Sequence, residues 1–159
     1  MKTSNITLGK DVTIEPSSTF NNVKIDDNVK IAKNCNIYGS SENILIIGKE
    51  TYIGMCSLLN GFANKLVIGE NVSIGQNVNI MTDSGPNASK EMQAYFPLLN
   101  GPVSIGDHSW IGANSIIMPN VRLGEFCVVA ANSFVNISFP SYSVIGGNPA
   151  RLIKKIIKK

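Results

Sequence analysis

Aliphatic side chains return every six residues along most of this chain. The register runs Leu8, Ile14, Phe20, then Ile25, Ile31, Ile37, then Ile47, Ile53, Leu59, then Ile68, Ile74, Ile80, and resumes past a long interruption at Ile105, Ile111, Ile117, Leu123, Val129 and Val135. Two positions before most of these stands a small or β-branched residue, such as Val29, Cys35, Thr51, Val72, Ser109 or Cys127. Inward residues two apart are the alternation of a strand, and no helix of 3.6 residues per turn keeps a strict six-residue repeat. Each hexad is therefore a very short strand followed by a turn. The turn chemistry agrees: Gly follows the aliphatic residue at Gly48, Gly54, Gly69, Gly75, Gly106 and Gly112, and Asn comes three residues after it at Asn28, Asn34, Asn71, Asn77, Asn114 and Asn132. Both residues tolerate the positive φ of a sharp corner. Strands this short cannot bury an apolar face alone, so they must stack coil upon coil. Eighteen hexads at three per coil predict an all-β parallel β-helix of six coils.

Composition fits one folded domain. The chain has 159 residues, 43% of them hydrophobic and only 16% charged, which disfavours both disorder and long charged helices. Its net charge of +3 comes from the end of the chain, where Arg151, Lys154, Lys155, Lys158 and Lys159 cluster. The rest is nearly neutral, so a nucleic-acid-binding face is not expected. No apolar run approaches the length of a membrane helix, and the first residues carry no apolar targeting segment. Cys35, Cys56 and Cys127 lack metal-binding spacing and read as buried free thiols of a reducing compartment, the cytoplasm by default. With His108 the only histidine, a three-histidine metal site within one chain is excluded, and no metal is expected.

Two segments break the hexad pattern. Residues 83–102 form an insertion with aromatic and apolar residues that no interior position calls for, and long excursions from a rigid scaffold are disproportionately functional. At the other end, Asn148-Pro149 reads as an N-cap with proline at the first helical position, opening a helix over 149–159. Its Leu152, Ile153, Ile156 and Ile157 would cap the open solenoid, leaving a β-helix domain over 1–148. Trp110 precedes an inward aliphatic residue, so alternation points its indole outward onto a contact surface, for a ligand or for another subunit.

The runs VSIGQNVNI, GPVSIGDHSWIGANSIIMPNVRLGE and SVIGGNPARLIKKI resemble the hexapeptide-repeat acyltransferases, within them the sugar, galactoside, maltose and xenobiotic O-acetyltransferases. The resemblance covers the chain from Leu8 onward. It implies a left-handed β-helix, a homotrimer, and acetyl-CoA lying in the groove between subunits. It also implies that Trp110 flanks this groove, that backbone at Ala113 and Ala131 meets the pantetheine arm, and that Arg151 and Lys154 hold nucleotide phosphates. In the family, the loop at 83–102 brings a catalytic histidine just before a proline; here Gly85 precedes Pro86.

Acyl transfer to a hydroxyl calls for a general base, and imidazole is the common choice. His108 is the only one present, yet it occupies the corner position where Asn recurs and is equally read as a corner residue. Asp83, at the corner after Ile80, is the other candidate, with Ser84 and Asn87 placed to hydrogen-bond a sugar. One face of the prism separates Asp83 from His108. The expected activity is acetyl-CoA-dependent O-acetylation of a sugar or surface-polysaccharide precursor. The alternatives are N-acylation of an amino sugar or nucleotide-sugar, and a catalytically silent β-helical scaffold.

Overall fold

The computed structural model describes residues 4–157 and is a parallel β-solenoid with three flat faces. The first face stacks Ile6–Leu8, Val23–Ile25, Leu45–Ile47, Leu66–Ile68, Val103–Ile105 and Arg122–Leu123. The second stacks Thr13–Ile14, Lys30–Ile31, Tyr52–Ile53, Ser73–Ile74, Trp110–Ile111, Val128–Val129 and Ser143–Gly147. The third stacks Thr19–Asn21, Asn36–Tyr38, Leu58–Asn60, Asn79–Met81, Ile116–Ile117 and Phe134–Val135. Pairing is in register, so that Ile31, Ile53, Ile74, Ile111 and Val129 lie one above another as an interior ladder. All hexad residues from Ile25 to Val135 are buried. Leu8, in the outermost coil, is half exposed because it packs against one neighbouring coil only.

The corners show why the repeat has its composition. Asn28, Asn34, Asn71, Asn77, Asn114, Asn120 and Asn132 all have φ between 54° and 66°, and His108 shares that conformation at 58°. Where a glycine opens the corner it is fixed by the stacking of coils: a Cβ on Gly112 would stand 2.5 Å from the Ala131 backbone nitrogen. Inward hydroxyls tie one coil to the next. Ser109 Oγ donates to the Gly124 carbonyl at 3.2 Å and accepts from the Cys127 N–H at 3.1 Å, while Ser115 Oγ donates to the Ala130 carbonyl at 3.1 Å. These bonds satisfy polar groups that the core would otherwise strand.

The insertion leaves the corner between the third and first faces. Its ends, Asp83–Ser84 and Leu99–Asn100, pair antiparallel, and it carries one short helix, Lys90–Gln93, capped by Ser89. Tyr95 and Phe96 stand well out from the molecule, 79% and 67% exposed.

The expected helix over 149–159 is not formed. Ala150–Lys155 is instead a strand, paired antiparallel to Ser143–Gly147 after a turn at Asn148-Pro149, whose peptide bond is cis. The strand Ser143–Gly147 ends the stack with one edge open, and a returning strand satisfies that row of backbone groups as a helix cannot. Leu152 and Ile153 remain at least half exposed, so they do not cap the solenoid; Phe139, Ser143, Ile145 and Ala150 are buried at that end. Lys158 and Lys159 lie outside the described residues. A second correction concerns the cysteines: Cys35 and Cys127 are buried as expected, but Cys56 is exposed, because it takes the outward, positive-φ corner position.

Candidate functional site

The corner between the second and third faces carries a groove of about 540 Å³. Trp110, 58% exposed, forms one wall, and Ala113 and Ala131 lie among its lining with Gln76. The groove follows from the second residue of each corner in this row, which reads Lys33, Met55, Gln76, Ala113 and Ala131. Long side chains give way to methyl groups in the last two coils, which bares the backbone there. At the corner between the first and second faces, the corresponding N–H groups are capped by side chains: Lys10 by Asp27 at 2.7 Å, Glu70 by Asp107 at 2.8 Å and Glu125 by Ser141 at 3.0 Å. The N–H groups of Ala113 and Ala131 have no such partner among the described residues. The groove thus offers apolar walls and open backbone donors, the fit that a pantetheine amide chain requires.

Trp110, Val128, Val144 and Lys154 form one row across the second face toward the end of the solenoid. Arg151 pairs opposite Gly146 in the last strand and turns one guanidinium N–H onto the Ala150 carbonyl at 2.8 Å. Both cations are exposed, and neither has an acidic partner among the described residues. Ile153 lies over Gly146, where a Cβ would meet its Cδ1 at 3.0 Å and the Ala130 methyl at 2.9 Å. Sequence reasoning gave Ile153 to a capping helix and not to this place, since the antiparallel return that brings it there has no hexad signature.

Asp83 sits at the corner that bears the loop. Asn60 Nδ2 donates to one of its carboxylate oxygens at 3.1 Å, and the Asn60 carbonyl oxygen is held by the Phe62 N–H at 3.0 Å, which fixes the amide orientation. The other Asp83 oxygen accepts no hydrogen bond among the described residues. Burial, and then the nearby Asp83 charge, push the Tyr38 phenol above its ordinary pKa. Tyr38 and Asn60 were not foreseen; their signal is the outward position after the aliphatic residue, which reads Asn21, Tyr38, Asn60 and Met81 along the third face. Ser84 pairs with Leu99, and Asn87 turns back onto the Gly85 carbonyl at 2.9 Å. At Gly85 itself a Cβ would stand 2.7 Å from Leu98 Cδ2 and 3.0 Å from Leu98 Cα, so any side chain there requires Leu98 to shift.

His108 lies at a different corner, across the first face from Asp83, and the structure does not bring the two together. Its ring stacks on Phe126 with centroids 4.7 Å apart, and Phe126 stacks on Tyr142 at 5.1 Å. Among the described residues no three His, Cys, Asp or Glu side chains converge as a metal site, and no helix is long and apolar enough to cross a membrane.

Known proteins resemble this chain in sequence and in fold. The sequence profile of the family described as bacterial transferase hexapeptide (six repeats) matches residues 102–136. A putative acetyltransferase of Saccharomyces cerevisiae, YJL218W, is 40% identical over 96 residues, which cover 60% of this chain and 48% of that protein. The galactoside O-acetyltransferase of Escherichia coli is 27% identical over 150 residues, 94% of this chain and 64% of that protein. The chain therefore spans between about half and two thirds of the length of these relatives. Among solved structures, AntD, an N-acyltransferase from Bacillus cereus in complex with dTDP and 3-hydroxybutyryl-CoA, superposes with a TM-score of 0.81 at 26% identity, covering 95% of this chain and 82% of AntD. In sequence over residues 102–136 and in fold over nearly the whole chain, this protein is similar to the hexapeptide-repeat acyltransferases.

Proposed function

We propose that this protein transfers an acyl group, acetyl first among candidates, from CoA to a sugar hydroxyl. The observation that carries the reading is the groove at Trp110, with open backbone N–H groups at Ala113 and Ala131 and the unpaired cations Arg151 and Lys154 toward its end. In this reading the pantetheine amides take the two backbone donors, the indole covers the arm, and Arg151 and Lys154 face the nucleotide phosphates. The thioester supplies an acyl carbon open to attack and a thiolate leaving group. Asp83 accepts the proton of the attacking hydroxyl, and its orientation is held by Asn60. As the new C–O bond forms and the C–S bond breaks, that proton passes on to the departing sulfur. Ser84 and Asn87 lie beside Asp83 to contact the acceptor.

The groove and Asp83 lie at corners separated by the whole third face, so one chain does not complete the site. A homotrimer, in which the loop corner of one copy faces the groove of the next, would join them. Release of free thiol from acetyl-CoA across a panel of sugars tests the reading. Turnover with a hydroxyl acceptor supports it, whereas neither turnover nor CoA binding by calorimetry would sink it and leave a scaffold. The likeness to AntD favours a second reading, N-acylation of an amino sugar carried on a nucleotide, which the same assay with amine acceptors distinguishes.

A further inference from the structure

The outer third face carries a second groove, of about 370 Å³, between the early coils and the base of the loop corner. Thr19, Asn21, Asn36, Tyr38 and Phe62 line it, and no charged side chain does. Thr19 Oγ1 donates to the Asn36 carbonyl oxygen at 2.7 Å, which leaves the Asn36 NH₂ directed elsewhere and without a partner among the described residues. The Tyr38 hydroxyl likewise makes no hydrogen bond there. Phe62 is 61% exposed, an aromatic face that the core does not use. Amide and phenol donors beside an open aromatic ring, with no cation near, suit a neutral polyol: hydroxyls meet the polar groups, and the C–H face of the ring lies on Phe62. A phosphate would find no charge to pair with.

The groove runs from Tyr38, two coils from the strand that leads into Asp83 and with Asn60 in the coil between, on to Asn21, three coils away, about 14 Å at the spacing of stacked strands. One pyranose ring does not bridge that span. We infer that the Phe62–Tyr38–Asn36 groove is a subsite for neutral sugar units beyond the one acylated at Asp83, so that the acceptor is an oligo- or polysaccharide rather than a monosaccharide or a nucleotide sugar. The inference rests on the acyl-transfer reading for its direction, and on the groove alone for its chemistry.

Thiol release from acetyl-CoA with glucose, maltose, maltotriose and maltotetraose, and with the corresponding cellulose and chitin series, tests it. The expected result is a KM that falls with chain length by on the order of tenfold in at least one series. Phe62→Ala and Asn36→Ala should remove that gain, and Asn36→Ala, which touches neither Asn60 nor Asp83, should leave transfer to the monosaccharide unchanged. A KM that is flat in every series, or preferential acylation of UDP-glucose unaffected by Phe62→Ala, overturns the inference. Calorimetric titration of the CoA-free protein with the trisaccharides separates the two readings. Binding lost in Phe62→Ala upholds the groove even if no acceptor is acylated, and absence of binding by all three trisaccharides overturns it even if acyl transfer stands.

Discussion

The His108 imidazole lies nearly parallel to the Phe126 ring, 4.7 Å away and tilted by 17°, so the only histidine in the chain is a rung of a corner stack that Tyr142 extends. This stack accounts for an aromatic side chain where the preceding coil carries Asn71, and it lies at a different corner from Asp83.

Removal of His108 should therefore affect stability more than chemistry. His108→Ala is expected to lower stability by about 1 kcal/mol through the lost stack and the positive φ at that corner, with kcat within threefold of the parent. His108→Asn, which suits the corner, should recover part of the stability. Thermal melting and thiol-release kinetics check both; a hundredfold loss of kcat in His108→Asn would make the histidine the base.

Asp83→Asn is expected to lower kcat by about 10²–10⁴-fold, the usual worth of a positioned base, with little change in Kd for CoA, since in the proposed reading Asp83 meets the acceptor hydroxyl and not the pantetheine arm. Asn60→Ala should retain the carboxylate but release its orientation, giving a smaller loss in kcat. Single-turnover kinetics combined with calorimetry separates these effects.

In the groove, Trp110→Ala should raise KM for acetyl-CoA roughly tenfold, about 1–2 kcal/mol of lost contact. Ala131→Leu should do so as well, by covering the backbone that the smaller side chain leaves open. Neither variant touches the core, so melting temperatures should be unchanged. A Trp110→Ala protein with unaltered CoA binding would count against the groove.

The cysteines divide by burial. Desolvation first, partly offset by hydrogen bonds, raises the thiol pKa of both Cys35 and Cys127, whereas Cys56 is exposed. Iodoacetamide at pH 8 should label one thiol per folded chain, at Cys56, and three after denaturation. Because the folded thiols ionise later than the unfolded ones, their contribution to stability is complete below the ordinary thiol pKa, near 8.5. It declines as pH rises from there through the raised values. Denaturant melts between pH 7 and 10 should show a falling midpoint, and Cys35→Ser/Cys127→Ser should flatten the decline.

The sequence by itself determined the solenoid. Its six-residue period names which residues turn inward, and every one from Ile25 to Val135 does so because a strand's two-residue alternation leaves no other face for them. It also determined the corners, since Asn and Gly mark positive φ and close backbone approach locally, without knowledge of the rest of the chain. The outward direction of Trp110 was legible for the same reason, from its place within a hexad, whereas Ala113 and Ala131 were named only through the family resemblance. Only the tertiary structure decided what the end of the chain does. The stripe of Leu152, Ile153 and Ile156 suits a helix as well as a strand, and the open edge of Ser143–Gly147, a feature of the assembled sheet, selects the strand. It alone also set Asn60 against Asp83, brought Tyr38 within reach of the Asp83 charge, and stacked His108 on Phe126. Those contacts join residues 18 to 45 positions apart, and their partners are chosen by coil register, which no local pattern encodes.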